Sequence, residues 1–244
     1  MYFKLISKSY KINSKYRKFK NISICDYLSS KIANIIIPIF LILKINPNQI
    51  TALNIFFSFL AIVFVNAAGG EFFGYALIFF LICKIIDYSD GGVARISKRK
   101  TFFGKFADSI NDAFLSTLFY LALSFYCFNL TDNNMLFVIG IIASVFLLMG
   151  IFILDKFSAL VRWSNTENKK NFPSYIRRNK LLRFFLTLED INFFGVFILF
   201  IYKNNLEAVQ LIFGIICFSI LLSATVNLIM HSLYAYQYLN FNKK

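Results

Sequence analysis

Along the chain, long apolar blocks alternate with short polar gaps, and the blocks are continuous rather than striped. Six of them run from about 48–68, 71–97, 102–128, 134–161, 181–202 and 206–233. Each exceeds the ~18 apolar residues that mark a membrane-crossing helix. The pattern predicts an all-α fold, a polytopic integral membrane bundle of six transmembrane helices. Asn46-Pro47-Asn48 is a helix start signal for the first block. The stretch 23–45 is apolar but interrupted by Asp26, Lys31 and Pro38. It reads as an N-terminal amphipathic helix lying in the interface, with a seventh span as the alternative. The expected organisation is 1–46 as a basic arm and interfacial helix, and 47–244 as one six-helix membrane domain.

The gaps carry the orientation signal. Basic residues gather in the N-terminal arm, at Lys98, Arg99 and Lys100, between Arg162 and Lys180, and in the tail at Lys243 and Lys244. The three alternate gaps hold almost none. The positive-inside rule then places both termini in the cytoplasm, a parity that six spans satisfy and seven break. The expected location is a bacterial inner membrane, with the active site facing the cytoplasm.

Composition agrees. The chain is 58% hydrophobic with 32 Phe, well above the soluble range. Its net charge of +14 would raise nucleic acid as a partner for a soluble protein. Here the charge sits between apolar blocks, where it meets anionic lipid headgroups, so no nucleic acid is expected. Cys25, Cys83, Cys127 and Cys217 form no CxxC pair and read as small apolar residues. His231 has no partner motif. No cleavable signal peptide is expected, since no A-x-A-like site follows an isolated apolar run.

The chemistry lies in the acids. The chain has only twelve, and four fall within one stretch of 26 residues: Asp87, Asp90, Asp108 and Asp112. Charge inside a span is costly and marks function by default. Asp87 and Asp90 share one helix face, as do Asp108 and Asp112. A short basic turn joins the two spans, which predicts antiparallel neighbours. Asp87 then matches Asp112 in depth and Asp90 matches Asp108, in two levels roughly 5–6 Å apart. Four such carboxylates would share protons or hold hard cations, Mg²⁺, Mn²⁺ or Ca²⁺, and two ions would serve phosphoryl transfer. The competing reading is a set of salt bridges to Lys84, Arg95 or Lys105. It leaves Gly91 and Gly92 unexplained, each costing about 1 kcal/mol inside a helix. Glycine beside the acids admits a ligand close to the backbone, and Arg95 one turn on presents a fork that matches phosphate.

Written out, Asp87-x2-Asp90-Gly91-x2-Ala94-Arg95-x8-Gly104-x3-Asp108-x3-Asp112 resembles the signature of the CDP-alcohol phosphotransferase family. All eight fixed positions match at the family spacing. The opening Asn46-Pro47-Asn48-Gln49-Ile50-Thr51 is similar to the family as well. The resemblance implies a metal-dependent enzyme of phospholipid biosynthesis. It would move a substituted phosphate from a CDP-linked alcohol, CDP-diacylglycerol foremost, to an acceptor alcohol and release CMP. It implies Asp87, Asp90 and Asp108 as metal ligands, and Asp112 as general base that also touches metal. Gly91, Ala94, Arg95 and Gly104 are implied to shape the CDP site. Family members are often homodimers. Lys105, which abuts Gly104, is a candidate acceptor contact, with Arg162 and the other loop cations Arg177, Arg178 and Lys180. Lys84, Glu189 and Asp190 form a second oddity, read either as a buried pair or as contacts to acceptor hydroxyls. The alternatives are transfer from a CDP-aminoalcohol to diradylglycerol, an aspartate-rich prenyltransferase, and a divalent-cation transporter.

Overall fold

The computed structural model describes residues 23–99, 101–168 and 180–241, with residues 2, 6, 7 and 9–11. Among them run α1 (Ile24–Ile42), α2 (Pro47–Asn66), α3 (Phe73–Ile96), α4 (Phe102–Thr131), α5 (Asn134–Asn168), α6 (Lys180–Ile201) and α7 (Leu206–Phe241). A 3₁₀ turn (Ala67–Gly70) joins α2 to α3, and no strand occurs among the described residues. The six expected blocks correspond to α2 to α7 and the stretch 23–45 to α1, but the helices long and apolar enough to cross a membrane among the described residues are five, α1, α2, α4, α5 and α7. The protein is an all-helical integral membrane protein.

Local chemistry sets the helix ends. Ser23 caps α1, its hydroxyl accepting from the Asp26 N–H at 3.1 Å. Thr101 does the same for α4, accepting from the Gly104 N–H at 3.0 Å. Lys44, Lys98 and Asp132 take the left-handed conformation that stops α1, α3 and α4, with φ between 52° and 56°. Gly70, at φ 93°, closes the turn before α3, and a Cβ there would run into the Tyr126 ring.

α1 is 19 residues long and apolar enough to cross a membrane by length and composition. Its outward face is aliphatic over its whole length: Ile24, Leu28, Ile32, Ile35, Ile39 and Ile42 are exposed. Cys25, Ser29, Ala33 and Ile37 are buried on the other side. Lys84, Asp87 and Asp90 interrupt the apolar run of α3, which is the cost of carrying the site.

The packing differs from the expected hairpin in one respect. α3 and α4 follow each other in sequence, yet their backbones make little direct approach. α2 instead packs closely on both. α3 and α4 meet through large rings, Phe80 on Phe119 at 4.3 Å and Phe73 on Tyr126 at 4.4 Å between centroids. The ring pairs act as spacers and leave room between the helices at the level of the aspartates. α5 then bridges α4 and α7, and α6 lies on α7. The main core, with Val65, Phe73, Leu123, Tyr126, Val196 and Phe213, lies away from the aspartates.

α1 is tied to this bundle by α6. The Asp190 carboxylate accepts from the Ile24 and Cys25 backbone N–H groups, each at 2.9 Å. A carboxylate here satisfies unpaired donors and complements the helix dipole. Asp190→Ala is expected to cost about 1–2 kcal/mol, as for loss of a helix cap. Cys25, 2% exposed, should then alkylate faster with a maleimide in detergent. An unchanged labelling rate would count against the clamp.

Candidate active site

The site is assembled around the start of α2. Gln49 accepts from the Asn46 N–H at 2.9 Å, closing the first turn. Asn46 Oδ1 also accepts from Arg99 Nη1 at 2.8 Å, and Asn48 Oδ1 accepts from the Thr101 hydroxyl at 3.1 Å. These bonds fasten the start of α2 to the turn between α3 and α4. Gly104 is part of the same junction: a Cβ there would lie 2.8 Å from both Asn48 Oδ1 and Thr101 Oγ1. Its lack of a side chain therefore serves helix packing as well as ligand access. Gly91 plays a different part. A Cβ on it would stand 3.2 Å from Arg95 Nη1, so the guanidinium folds back over the glycine.

Three of the four aspartates come together. One carboxylate oxygen each from Asp87, Asp90 and Asp108 lies within 4.8 Å of the others. Asp90 is buried, and its Oδ2 accepts from the Thr51 hydroxyl at 2.8 Å. Asp108 Oδ2 pairs with Lys105 Nζ at 3.3 Å, whereas Asp108 Oδ1 is buried with no hydrogen-bond partner. Clustered carboxylates with an orphaned oxygen fit a hard divalent cation. Asp112 is not part of that three-residue cluster, but it faces a cavity in common with Asp87.

Two cavities divide the four acids. The larger, about 350 Å³, is lined by Asp90 and Asp108 together with Gly91, Ala94, Arg95 and Gly104, the four residues expected around CDP. Arg99 and Lys105 complete a cationic rim. The smaller, about 80 Å³, is lined by Asp87 and Asp112 with Asn54, Ser58, Lys84 and Asn111. The level nearer the α3–α4 turn thus opens on one cavity and the deeper level on the other.

The CDP-alcohol phosphatidyltransferase family model matches residues 44–228. The chain belongs to this family. No individually curated protein matches it. As a CDP-alcohol phosphatidyltransferase it is an enzyme, a transferase of substituted phosphate groups in phospholipid synthesis. The match begins just ahead of α2 and leaves α1 outside.

Several residues of this phosphatidyltransferase were not assigned a role from sequence. Thr51, Asn54 and Ser58 form a buried polar stripe on the otherwise apolar α2. Their spacing of three and four was the available signal. Asp26 is another: Lys84 Nζ stands 3.9 Å from Asp26 Oδ1 and 3.7 Å from Glu189 Oε1. Glu189 and Asp190 therefore have separate tasks, one facing Lys84 and the other capping α1. Arg162 lies on α5, but its side chain is outside the described residues, as is that of Lys180, and Arg177 and Arg178 lie outside them entirely.

Lys84→Met would leave Asp26 and Glu189 facing each other, whereas Glu189→Gln leaves Asp26 for Lys84. The lysine variant is expected to lower the unfolding temperature more, and the double variant to recover part of the loss. The coupling should be about 1 kcal/mol in a double-mutant cycle. Additive effects of the two changes would rule out the pair.

Proposed function

We propose that this phosphatidyltransferase uses Mg²⁺ or Mn²⁺, two ions in the working state, to transfer the phosphatidyl group of CDP-diacylglycerol to an acceptor alcohol and release CMP. The observation that carries this reading is the division of the acids between two cavities. Asp90 and Asp108 line the one with Gly91, Ala94 and Arg95, and Asp87 and Asp112 line the other.

The CDP moiety is assigned to the larger cavity, where Arg95 and Lys105 offset the charge of its diphosphate. Ala94 and the two glycines keep the wall low beside it. The bound metal would polarise the diphosphate and stabilise departing CMP. Thr51 fixes the Asp90 carboxylate through its hydroxyl, so that the ligand arrangement is set before substrate arrives. Asp112, on the side of the smaller cavity, takes the proton from the acceptor hydroxyl. The acceptor oxygen then attacks the phosphorus distal to cytidine. Both termini and the larger cavity are assigned to the cytoplasmic side of a bacterial inner membrane, a reading that the basic gaps support with α1 in the interface. A homodimer is the expected assembly.

Asp112→Asn is expected to lower CMP release from labelled CDP-diacylglycerol by about 10²–10⁴-fold, the range for a lost general base. Mn²⁺ binding, followed by calorimetry, should be largely kept, whereas Asp87→Asn should weaken both. Chelation should stop turnover, and Mg²⁺ or Mn²⁺ should restore it. Full activity in Asp112→Asn would exclude the base assignment.

A further inference from the structure

The small cavity contains more polarity than the transfer reaction has so far used. Asn54 of α2 and Asn111 of α4 both line it, and they are 3% and 5% exposed. The amide oxygen of each is buried without a hydrogen-bond partner. An orphaned buried amide is destabilising, and two bordering one cavity call for a ligand that supplies donors. Ser58 is already committed, donating to the Asn54 backbone carbonyl at 2.8 Å.

Charge and size narrow the ligand. Asp87 and Asp112 border the cavity, and its one cation, Lys84, faces Asp26 and Glu189. A phosphate or carboxylate offers no donor to the two orphaned amide oxygens. An amide offers both donors and an acceptor, which matches a hydroxyl group. The cavity is about 80 Å³, against about 350 Å³ for its neighbour. It has room for a hydroxymethyl-sized fragment. Asn111 and Asp112 line the same cavity, so a hydroxyl held by the amides would neighbour the one that loses its proton.

We propose that Asn54 and Asn111 form the acceptor's hydroxyl subsite and select a vicinal diol, a polyol or polyol phosphate whose second, non-reacting hydroxyl enters the small cavity. This rests on the reading that Asp112 deprotonates the acceptor. Any phosphate on the acceptor then lies outside this cavity.

The test compares glycerol 3-phosphate with 3-hydroxypropyl phosphate, which lacks only the 2-hydroxyl, and glycerol with 1,3-propanediol. Serine is the amino-alcohol control. Each is given to the purified full-length protein with CDP-diacylglycerol and Mg²⁺, and CMP release is followed. The expected result is a kcat/KM for at least one diol about 10²-fold above that of its deoxy partner, as for a site built to bond a hydroxyl. Asn54→Leu and Asn111→Leu should reduce that ratio to below about 5-fold while the KM for CDP-diacylglycerol stays within about twofold, because the donor occupies the other cavity. Leucine replaces an orphaned amide with an apolar group of similar shape, so the unfolding temperature should hold or rise. A ratio unchanged in both variants would overturn the subsite, as would a fall in unfolding temperature in both, which would mean that the amides serve the fold. Activity with serine alone would overturn the diol selection. No CMP release by the wild-type protein with any acceptor would overturn the donor reading, and this inference with it.

Discussion

Like charges held together inside a membrane are the constraint that the rest of the bundle answers to. Asp87, Asp90 and Asp108 bring carboxylate oxygens within 4.8 Å of one another. Bilayer surroundings screen such repulsion far less than water does. The three residues stay in place because two helices fix their backbones and Thr51 donates to Asp90 from a third. The unpartnered Asp108 Oδ1 shows that protein groups alone do not complete the arrangement. A divalent cation would complete it, and the three carboxylates are placed to hold one.

The position of α2 follows from that centre. If α3 and α4 packed tightly on each other, the carboxylates would have no space for ions or substrate between them. Ring pairs such as Phe80–Phe119 hold the two helices apart, and α2 packs on both. Its first turn is fastened to the α3–α4 turn through Asn46–Arg99 and Asn48–Thr101. The same turn therefore secures the bundle and borders the larger cavity. Gly104 joins both tasks, since the junction has no room for a Cβ.

A second charged cluster anchors the helix that the family match leaves out. Lys84 on α3 faces Asp26 on α1 and Glu189 on α6, and Asp190 caps α1. Lys84 also borders the small cavity, one turn from Asp87. The placement of α1 and the electrostatics of the deeper acid level are therefore joined through one side chain.

Apolar block length determined the helices, because a membrane helix must be long and continuously apolar whatever surrounds it. The spacing of Asp87, Asp90 and Asp108 likewise determined their meeting, since helical periodicity and a short turn leave few other registers. The motif glycines, Ala94 and Arg95 were legible beside them for the same local reason. What the tertiary structure alone decided were the relations between distant segments. The insertion of α2 between α3 and α4, the pairing of Asp26 with Lys84, and the burial of Asn54 and Asn111 at one cavity join residues far apart in the chain. Asp26 looks like an interruption of α1 until Lys84 of α3 stands opposite it. Periodicity states which face of a helix is polar. Only packing states what that face meets.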